Sequence, residues 1–395
     1  MGVTDVRAAV DTAFREEWGQ VVATLIGSLG DWDLAEECAQ DAFAAALTTW
    51  SRDGVPRRPG AWLTVTARNR AVDRLRREAV GAAKLRQLEL PVPEEPEEIP
   101  DERLRLIFTC CHPALPFPAR VALTLRTLAG LSTAEIARAL LTPEATMAQR
   151  LVRAKRKIAE AGIPYRVPPA ELLPQRLDAV LAVLYLIFNQ GYDTDRGLTA
   201  EALHLARVLV RLLPDEPEPR GLLALILLHE SRRATRIRDG VLVTLEHQDR
   251  GRWDRTLIDE GVAELDRALQ SRRPGPYQVQ AAIAACHATA TDAASTDWPQ
   301  IATLYAVLAK LTPSPVVELN RAVAVAMADG VEAGLAIIDE LTGALDGYHL
   351  LPATRADLLR RAGRNAEAKA AYLEAAQAAP TEPERRYLTS RYESL

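Results

Sequence analysis

Apolar residues recur every three to four positions along most of this chain, which is the period of an α-helix that buries one face. Leu and Ala dominate the composition, and Val and Ile rarely alternate with polar residues. The pattern therefore predicts an all-α protein. The longest apolar run, Ala179 to Phe188, is about half of what a membrane span needs and is predicted to be a buried helix.

Proline-rich stretches divide the chain into parts. Residues 89–102 combine four prolines with seven acidic residues and no basic one, which is typical of a linker. A second break follows where prolines cluster between Tyr165 and Pro174. At 395 residues the chain is too long for a single ordinary core. We expect helical domains over 1–80 and 103–163, an acidic linker over 81–102 and a helical extension over 164–395.

Turn signals separate consecutive helices throughout the extension. Proline-containing turns are predicted near Pro214, Pro274 and Pro313, and glycine turns at Gly330 and Gly363. The two glycines lie 33 residues apart, each between an apolar helix and an Ala-rich one. The last unit, from Gly363 to Pro380, resembles a tetratricopeptide repeat, a helical hairpin of about this length. The extension is therefore predicted to be helical-repeat-like.

Charge is distributed unevenly, although the net charge is only −5. Residues 1–51 hold nine acidic and two basic residues, whereas residues 52–86 hold ten basic and three acidic ones. Residues 120–157 hold eight basic and two acidic residues. Two basic blocks in an acidic chain indicate a nucleic-acid partner. Taken alone, such blocks are also typical of solvated helix faces.

Residues 131–158 carry the pattern of two helices joined by a tight turn. Ser132 and Glu135 have the spacing of a capping box. Thr142 is predicted to cap the second helix, with Pro143 at its first position. The apolar stripe predicted to face inward comprises Met147, Leu151, Ala154 and Ile158. The opposite face carries Arg and Gln, which hydrogen-bond guanine and adenine in the major groove. A basic surface helix within a bundle is the alternative interpretation.

This segment resembles region 4 of RNA polymerase sigma factors, through the pieces LSTAEIARAL and PEATMAQRLVRAKRKI. The resemblance implies that the second helix recognises the −35 promoter element, with Gln149 and Arg153 at bases and Arg150, Lys155 and Arg156 at phosphates. The implied −35 set is Thr146, Gln149, Arg150, Arg153, Lys155 and Arg156. Leu141 stands where the turn usually has Gly, and Ala148 stands where a polar side chain is common. We therefore expect a different promoter preference.

Two N-terminal segments resemble region 2 of the same family: DWDLAEECAQDAF at 31–43 and PGAWLTVTARNRAVDRLRRE at 59–78. The resemblance implies that the first segment binds the basic coiled coil of the polymerase β′ clamp through Glu36, Glu37, Gln40 and Asp41. It implies that the second segment and its preceding loop open the −10 element. The implied −10 set is Arg57, Arg58, Trp62, Arg68, Asn69, Arg74, Arg76 and Arg77. Trp62 is predicted either to stack on a base or, more often for a large aromatic on an apolar stripe, to lie in the core.

The segment between the two matches is too short to hold a further domain, which is the architecture of the extracytoplasmic-function group. The resemblance therefore implies a cytoplasmic sigma factor that binds core RNA polymerase and promoter DNA, with no enzymatic turnover. We expect no cofactor, metal or membrane contact. The extension is expected to modulate activity through a regulatory protein or an intramolecular contact. A stand-alone DNA-binding regulator and a helical-repeat scaffold are the alternatives.

Other candidate chemistry is less favoured. The four cysteines show no disulfide framework, which is typical of a reducing compartment. Cys110, Cys111 and His112 suggest zinc, but adjacent cysteines on a helix diverge and no second pair has ligand spacing, so buried thiols are favoured. The polar stretch Glu246 to Asp254 is predicted to be a hairpin tip or an interdomain contact. The sequence shows no active-site signature.

Overall fold

The computed structural model describes residues 3–77, 101–140, 142–194 and 196–395. The prediction of an acidic linker over 81–102 lies almost entirely outside the described residues. The chain divides into two compact units, Met1–Leu205 and Ala206–Leu395. Both are built from helices, and the only strands in the described ranges form one short hairpin. The all-α prediction is confirmed.

Among the described residues, nine helices form or enter the first unit. They are α1 (Val3–Leu29), α2 (Trp32–Asp53), α3 (Pro59–Arg77), α4 (Arg103–Cys110), α5 (Phe117–Thr127), α6 (Thr133–Ala139), α7 (Glu144–Glu160), α8 (Leu173–Thr194) and α9 (Arg196–Leu212), of which α9 crosses the boundary between the units. We call α1–α3 the first bundle and α4–α7 the second bundle.

The first bundle is held by large aromatic side chains. Trp18 and Trp50 are 2% and 1% exposed, and Phe43 packs against Trp18 with ring centroids 5.9 Å apart. Asp31 begins α2, because its carboxylate accepts a hydrogen bond from the Leu34 amide at 3.1 Å. The bundle thus fixes which side of α2 and which side of α3 remain at the surface.

Helix α8 belongs to the core of the second bundle, although it lies in the predicted extension. It packs against α4, α5 and α6. Arg176 donates a hydrogen bond from Nη2 to the Phe108 carbonyl oxygen at 2.8 Å. Its apolar face, predicted from the run Ala179 to Phe188, is buried at Val180, Leu184 and Ile187. The buried-helix prediction is confirmed.

The two bundles touch closely through small residues. Gly130, which has φ +73°, lies under the rings of Phe14 and Trp18, where a Cβ would come within 2.7 Å of Phe14. Tyr165, just after α7, donates its hydroxyl to the Ala23 carbonyl oxygen of α1 at 2.7 Å. Burial raises the pKa of the Tyr165 hydroxyl, so it stays protonated and able to donate. These contacts join the bundles within one unit.

The second unit continues with helices separated at the predicted turns. They are α10 (Pro217–Glu230), α11 (Arg255–Gln270), α12 (Pro276–Thr289), α13 (Trp298–Leu311), α14 (Pro315–Asp329), α15 (Val331–Leu341), α16 (Leu350–Arg361), α17 (Asn365–Ala378) and α18 (Glu382–Glu393). Proline occupies the first helical position of α10, α12 and α14, where its missing N–H leaves no bond unmade. Gly330 and Gly363 both have positive φ and lie between helices, as predicted.

The polar stretch Glu246 to Asp254 follows a two-stranded antiparallel hairpin, β1 (Ile237–Arg238) and β2 (Val241–Leu242), rather than forming its tip. The stretch overlaps two short 3₁₀ turns and connects β2 to α11. Arg250 within it is 7% exposed and donates hydrogen bonds to the His287 and Ala290 carbonyl oxygens. This stretch is therefore part of the packed structure of its unit.

Candidate nucleic-acid and partner interface

Helix α6, the turn and α7 form the predicted helix-turn-helix. Ser132 caps α6: its Oγ accepts from the Glu135 amide at 3.2 Å, while Glu135 Oε2 accepts from the Ser132 amide at 2.7 Å. The hydrogen bonds from Ser132 hold the pKa of the Glu135 carboxyl below its usual value. The capping-box prediction is confirmed, so the start of α6 follows from sequence alone.

The start of α7 differs from the prediction. Pro143 occupies the N-cap position, and the Thr142 hydroxyl donates to the Leu140 carbonyl oxygen at 3.0 Å instead of capping α7. The prediction that Thr142 caps this helix was wrong, because its side chain satisfies the last carbonyl of the preceding turn. Leu141, which departs from the family pattern, lies outside the described residues.

Helix α7 has a buried stripe and a broad polar face. All four residues predicted to face inward are at most 6% exposed. On the other side, Thr146, Gln149, Arg153 and Arg156 are exposed, and Arg150 is half-buried. These side chains line a shallow cleft of about 550 Å³ together with residues 114–116, 118 and 119, before and at the start of α5. The face presents guanidinium and amide donors in one direction, as groove readout requires.

Val152 lies on the same helix and was not in the predicted set. Its side chain is 65% exposed, which is unusual for a large apolar residue on an otherwise polar helix. It follows Leu151 of the buried stripe and is one residue from Arg153. An exposed aliphatic side chain beside Gln and Arg is suited to contact a thymine methyl group. The signal in the sequence was a valine outside the inward-facing stripe.

The acidic face of α2 is only partly open. Glu37, Gln40 and Asp41 are exposed, whereas Glu36 is 4% exposed. Glu37 forms an ion pair with Arg74 of α3. The structure thus brings one member of the predicted polymerase set against one member of the −10 set.

Glu36 is covered by two cations of the second bundle. Arg126 Nε donates to Glu36 Oε2 at 2.9 Å. Lys155 Nζ lies 2.9 Å from Glu36 Oε1 and donates to Asp33 Oδ1 at 2.7 Å. Lys155 belongs to the predicted −35 set and its side chain is 15% exposed. The structure therefore joins a residue expected to bind polymerase with one expected to bind DNA.

The predicted −10 set lies on α3 and the loop before it. Arg57, Arg58, Asn69 and Arg76 are exposed, and Arg68 and Arg74 are half-buried. The side chain of Arg77 lies outside the described residues. Trp62 is half-buried and packs edge-to-face against Trp50, with ring centroids 5.6 Å apart. Part of the Trp62 ring system therefore packs inside the first bundle. The rest of it is exposed on the helix that carries the arginines.

The cysteines of the first unit are structural. Cys110 and Cys111 are buried, and their Sγ atoms lie 3.2 Å and 3.6 Å from the hydroxyls of Thr127 and Thr124. Burial raises the pKa of the Cys111 thiol to about 11, which disfavours a thiolate. No group of three metal-ligating side chains occurs in the described ranges. In the same ranges, no helix has the length and apolarity to cross a membrane.

Three segments match known protein families. Residues 14–80 match sigma-70 region 2, residues 105–158 match sigma-70 region 4, and residues 176–269 match a family of unknown function, DUF6596. An uncharacterized protein of Rhizobium meliloti (strain 1021) is 43% identical over 404 residues, covering 98% of this chain and 96% of the relative. The third segment begins in α8 and ends in α11, so it spans the boundary between the two units.

Proposed function

This chain belongs to the RNA polymerase sigma factors of the sigma-70 family, and we propose that it binds core polymerase through α2 and promoter DNA through α3 and α7. The observation that best supports this proposal is the polar face of α7, where Gln149 and Arg153 are exposed while the opposite stripe is buried. The bound holoenzyme would recognise the −35 and −10 elements and open the promoter. The chain itself supplies recognition and contributes no catalytic group.

The extracytoplasmic-function subgroup fits the spacing of the two regions. Only 24 residues, 81–104, separate the region 2 and region 4 matches. A segment of that length is too short for a further helical domain. The site of action is then the cytoplasm, where core polymerase and promoter DNA are found. The domain layout we propose is region 2 over 1–80, a linker over 81–102, region 4 over 103–163 and an extension over 164–395.

Reading of the −35 element is assigned to the exposed side of α7. Gln149 and Arg153 would bond base edges, whereas Arg150, Lys155 and Arg156 would contact phosphates. Thr146 lies in the first turn of α7, where it would approach the DNA backbone. Val152 adds an apolar contact beside the two base-reading side chains. Binding-site selection with the Val152→Ala variant should relax the preference at one base pair, because a lost methyl contact affects a single position.

Opening of the −10 element is assigned to α3 and its preceding loop. Arg57 and Arg58 are exposed in the loop just before the helix, and Asn69 and Arg76 are exposed along it. A cationic surface of this kind would follow the backbone of a single strand while Asn69 holds an unstacked base. Trp62, packed on Trp50, would support that surface from below.

Modulation by the extension is part of the proposal. The packing of α16 and α17 around Tyr372 and Ala375 supports a tetratricopeptide-like interpretation of its last part. Truncation is the direct test, and it must retain α8, which contributes to the second bundle. A chain ending after Thr194 should change promoter output relative to the full chain. Equal output from both chains at equal protein level would contradict a modulating role.

Binding to core polymerase tests the central proposal. Asp41 is exposed on α2, so Asp41→Arg should weaken co-migration with core polymerase at least ~10-fold, because it places a cation against a basic partner surface. Asp11→Arg provides a matched control, since Asp11 is an exposed acid on α1. If the wild-type chain binds DNA but never core polymerase, a stand-alone DNA-binding regulator replaces this proposal. If it binds neither, the helical-repeat scaffold replaces it.

A further inference from the structure

A cavity of about 260 Å³ lies inside the second unit, bounded mainly by the β-hairpin and the stretch after it, α16 and α18. Its volume is slightly below the range of about 300–1,000 Å³ that is typical of small-molecule sites. It corresponds to the liquid volume of roughly nine water molecules. A molecule that fills this cavity is therefore small, and a nucleic acid or a peptide of several residues is too large for it.

Apolar side chains supply much of the lining. Leu242 of β2, Leu350 of α16 and Leu388 of α18 all contribute to it. Leu388 belongs to the packed core, whereas Leu350 is 39% exposed. An exposed leucine in a cavity is apolar surface that a bound molecule would remove from water. The lining therefore favours a ligand with an apolar body.

Most of the charges on the lining neutralise each other. Asp357 accepts hydrogen bonds from Arg360 Nη2 and from Arg361 Nε, each at 2.7 Å. Arg361 also donates from Nη2 to a carboxylate oxygen of Glu246. These two cations and two carboxylates carry no net charge together, so they do not favour a ligand of either sign.

Arg391 is the lining cation that these ion pairs leave over. Its Nε donates to the Tyr387 hydroxyl at 3.3 Å, and its guanidinium carbon lies 5.4 Å from the centre of the same ring. Within the part of the chain that the structure describes, no carboxylate forms an ion pair with it. A guanidinium binds a planar carboxylate through two parallel hydrogen bonds. Arg391 can therefore receive the carboxylate of a ligand.

A second polar region lies two helical turns away. Glu384 precedes Arg391 by seven residues on α18, which is about 10 Å along the helix axis. Its Oε2 accepts from the Thr381 hydroxyl at 2.7 Å, whereas its Oε1 lies 3.9 Å from His349 Nε2, too far for a hydrogen bond. His349 Nε2 is buried and has no hydrogen-bond partner among the described residues. A buried nitrogen without a partner is costly, and a ligand hydroxyl between His349 and Glu384 would remove that cost.

We propose that this cavity binds a small, elongated monocarboxylate that carries a hydroxyl group at its far end. The carboxylate bonds the Arg391 guanidinium, and the apolar body covers Leu350 and Leu388. The hydroxyl donates to Glu384 Oε1 and accepts from His349 Nε2. The charge of Glu384 disfavours a second anionic group at that end. Binding here needs neither polymerase nor DNA, so this site extends beyond the proposed function and does not rest on it.

Calorimetric titration of the full-length chain tests the site. The probes are two hydroxy acids with different apolar bodies, para-hydroxyphenylpropanoate and ω-hydroxyoctanoate. At least one should bind saturably at one site, with a Kd of ~1 mM or tighter. For the acid that binds, the neutral primary amide should bind at least ~10-fold more weakly, because it loses the charged bond to Arg391. The same acid without its hydroxyl should bind about 3-fold more weakly.

Three variants locate the two ends of the ligand. Arg391→Gln should bind the acid and its amide with equal affinity. Arg386→Gln is the matched control, because Arg386 is exposed on the same helix, pairs with Glu382 and is not among the lining residues. It should keep the wild-type preference for the acid. His349→Phe should lose the preference for the hydroxylated acid and keep the preference for acid over amide. Melting curves by circular dichroism establish that each variant is folded.

The outcomes decide the site independently of the sigma-factor proposal. If neither hydroxy acid binds saturably up to about 10 mM, the site is overturned. Equal affinity of the wild-type chain for acid and amide, or a preference for the acid that survives in Arg391→Gln, overturns it as well. Core polymerase is absent from these titrations, so a chain that fails to bind polymerase can still bind the hydroxy acid, and the reverse.

Discussion

Each unit contains a nearly buried glutamate held by two cations, and the two sites differ in where those cations come from. Glu36 in the first unit faces Arg126 and Lys155, which lie about 90 and 119 residues away along the chain. Glu264 in the second unit faces Arg220 at 2.8 Å and also Arg267, one turn along its own helix. The chemistry is the same, but only the cations of Glu36 belong to a separate bundle.

The difference determines what happens when the pair breaks. Arg220 lies on α10, which packs along α11, so its guanidinium cannot leave Glu264 without disturbing a shared core. Arg126 and Lys155 lie on helices of the second bundle, so they reach Glu36 only through the contact between the bundles. The buried ion pair of the second unit therefore joins two helices of one core, whereas that of the first unit joins two bundles.

The largest expected effect concerns the apolar side of the contact between the bundles. Gly130→Val should lower the free energy of unfolding of the first unit by about 3 kcal/mol or more, because a branched side chain at φ +73° collides with Phe14 and Trp18. Thermal unfolding followed by circular dichroism measures it.

Gly330→Val is the control for backbone strain without collision. Gly330 has φ +110°, and a Cβ added there would meet no atom within 4 Å. Its cost should be smaller, about 1–2 kcal/mol. Equal losses for the two variants would show that the approach of the bundles contributes nothing beyond backbone strain.

The comparison of the two glutamates gives the next effect. Glu264→Ala should destabilise the second unit by about 2–3 kcal/mol, because Arg220 is left largely buried without a carboxylate. Glu36→Ala should destabilise the first unit by less, about 1 kcal/mol, because Arg126 keeps its bond to the Leu131 carbonyl oxygen and Lys155 keeps its bond to Asp33. Chemical denaturation measures the first quantity.

Small-angle scattering checks that these losses stay local. Neither variant chain should expand before it unfolds, because Gly130 and Tyr165 still hold the two bundles of the first unit together. A Glu36→Ala chain that is as destabilised as Glu264→Ala would remove the distinction between the two sites.

The smallest effect is an opposite response of the units to pH. Burial raises the pKa of Glu201 in the first unit to about 7, so its stabilising contribution is complete below pH 4.5 and is lost as pH rises through 7. Burial, with Arg232 and Arg250 nearby, lowers the pKa of His287 in the second unit to about 4. Its contribution is complete above pH 6.5 and is lost as pH falls toward 4.

Neutral variants isolate these two contributions. Glu201→Gln should gain on the order of 1 kcal/mol over wild type at about pH 7.5 and nothing at about pH 4.5. His287→Gln should lose less stability than wild type as pH falls from 6.5 toward 4, while the buried His229 keeps its own contribution. Melting temperatures measured across that range test both variants, and parallel curves for wild type and either variant would contradict the assignment.

Local signals in the sequence predicted many of the helices and turns. Ser132 and Glu135 predicted the start of α6, and Pro274 and Pro313 predicted turns that precede two helices of the second unit. The inward stripe of α7 followed from its period alone. Such features depend on residues within one or two turns of each other, which a sequence displays directly.

Contacts between distant segments could not be predicted in this way. Glu36 was predicted to lie on an acidic face of α2, and nothing near it in sequence indicates that Arg126 and Lys155 cover it. The same holds for α8, whose apolar period predicted burial but not that it would pack on the second bundle. The exposure of Val152 could not be predicted, because a helix with a buried stripe and a polar face gives no reason to expect an exposed aliphatic side chain.

The placement of α8 limits how the DNA-binding part of this protein can be transplanted. A chimaera that carries only residues 103–163 would leave behind the helix that covers α4, α5 and α6. The carbonyl oxygen of Phe108 would lose its bond from Arg176, and apolar residues of the bundle would meet solvent. Any graft onto another sigma factor must therefore extend to Thr194, so the portable module here is larger than the helix-turn-helix and includes the first helix of the C-terminal extension.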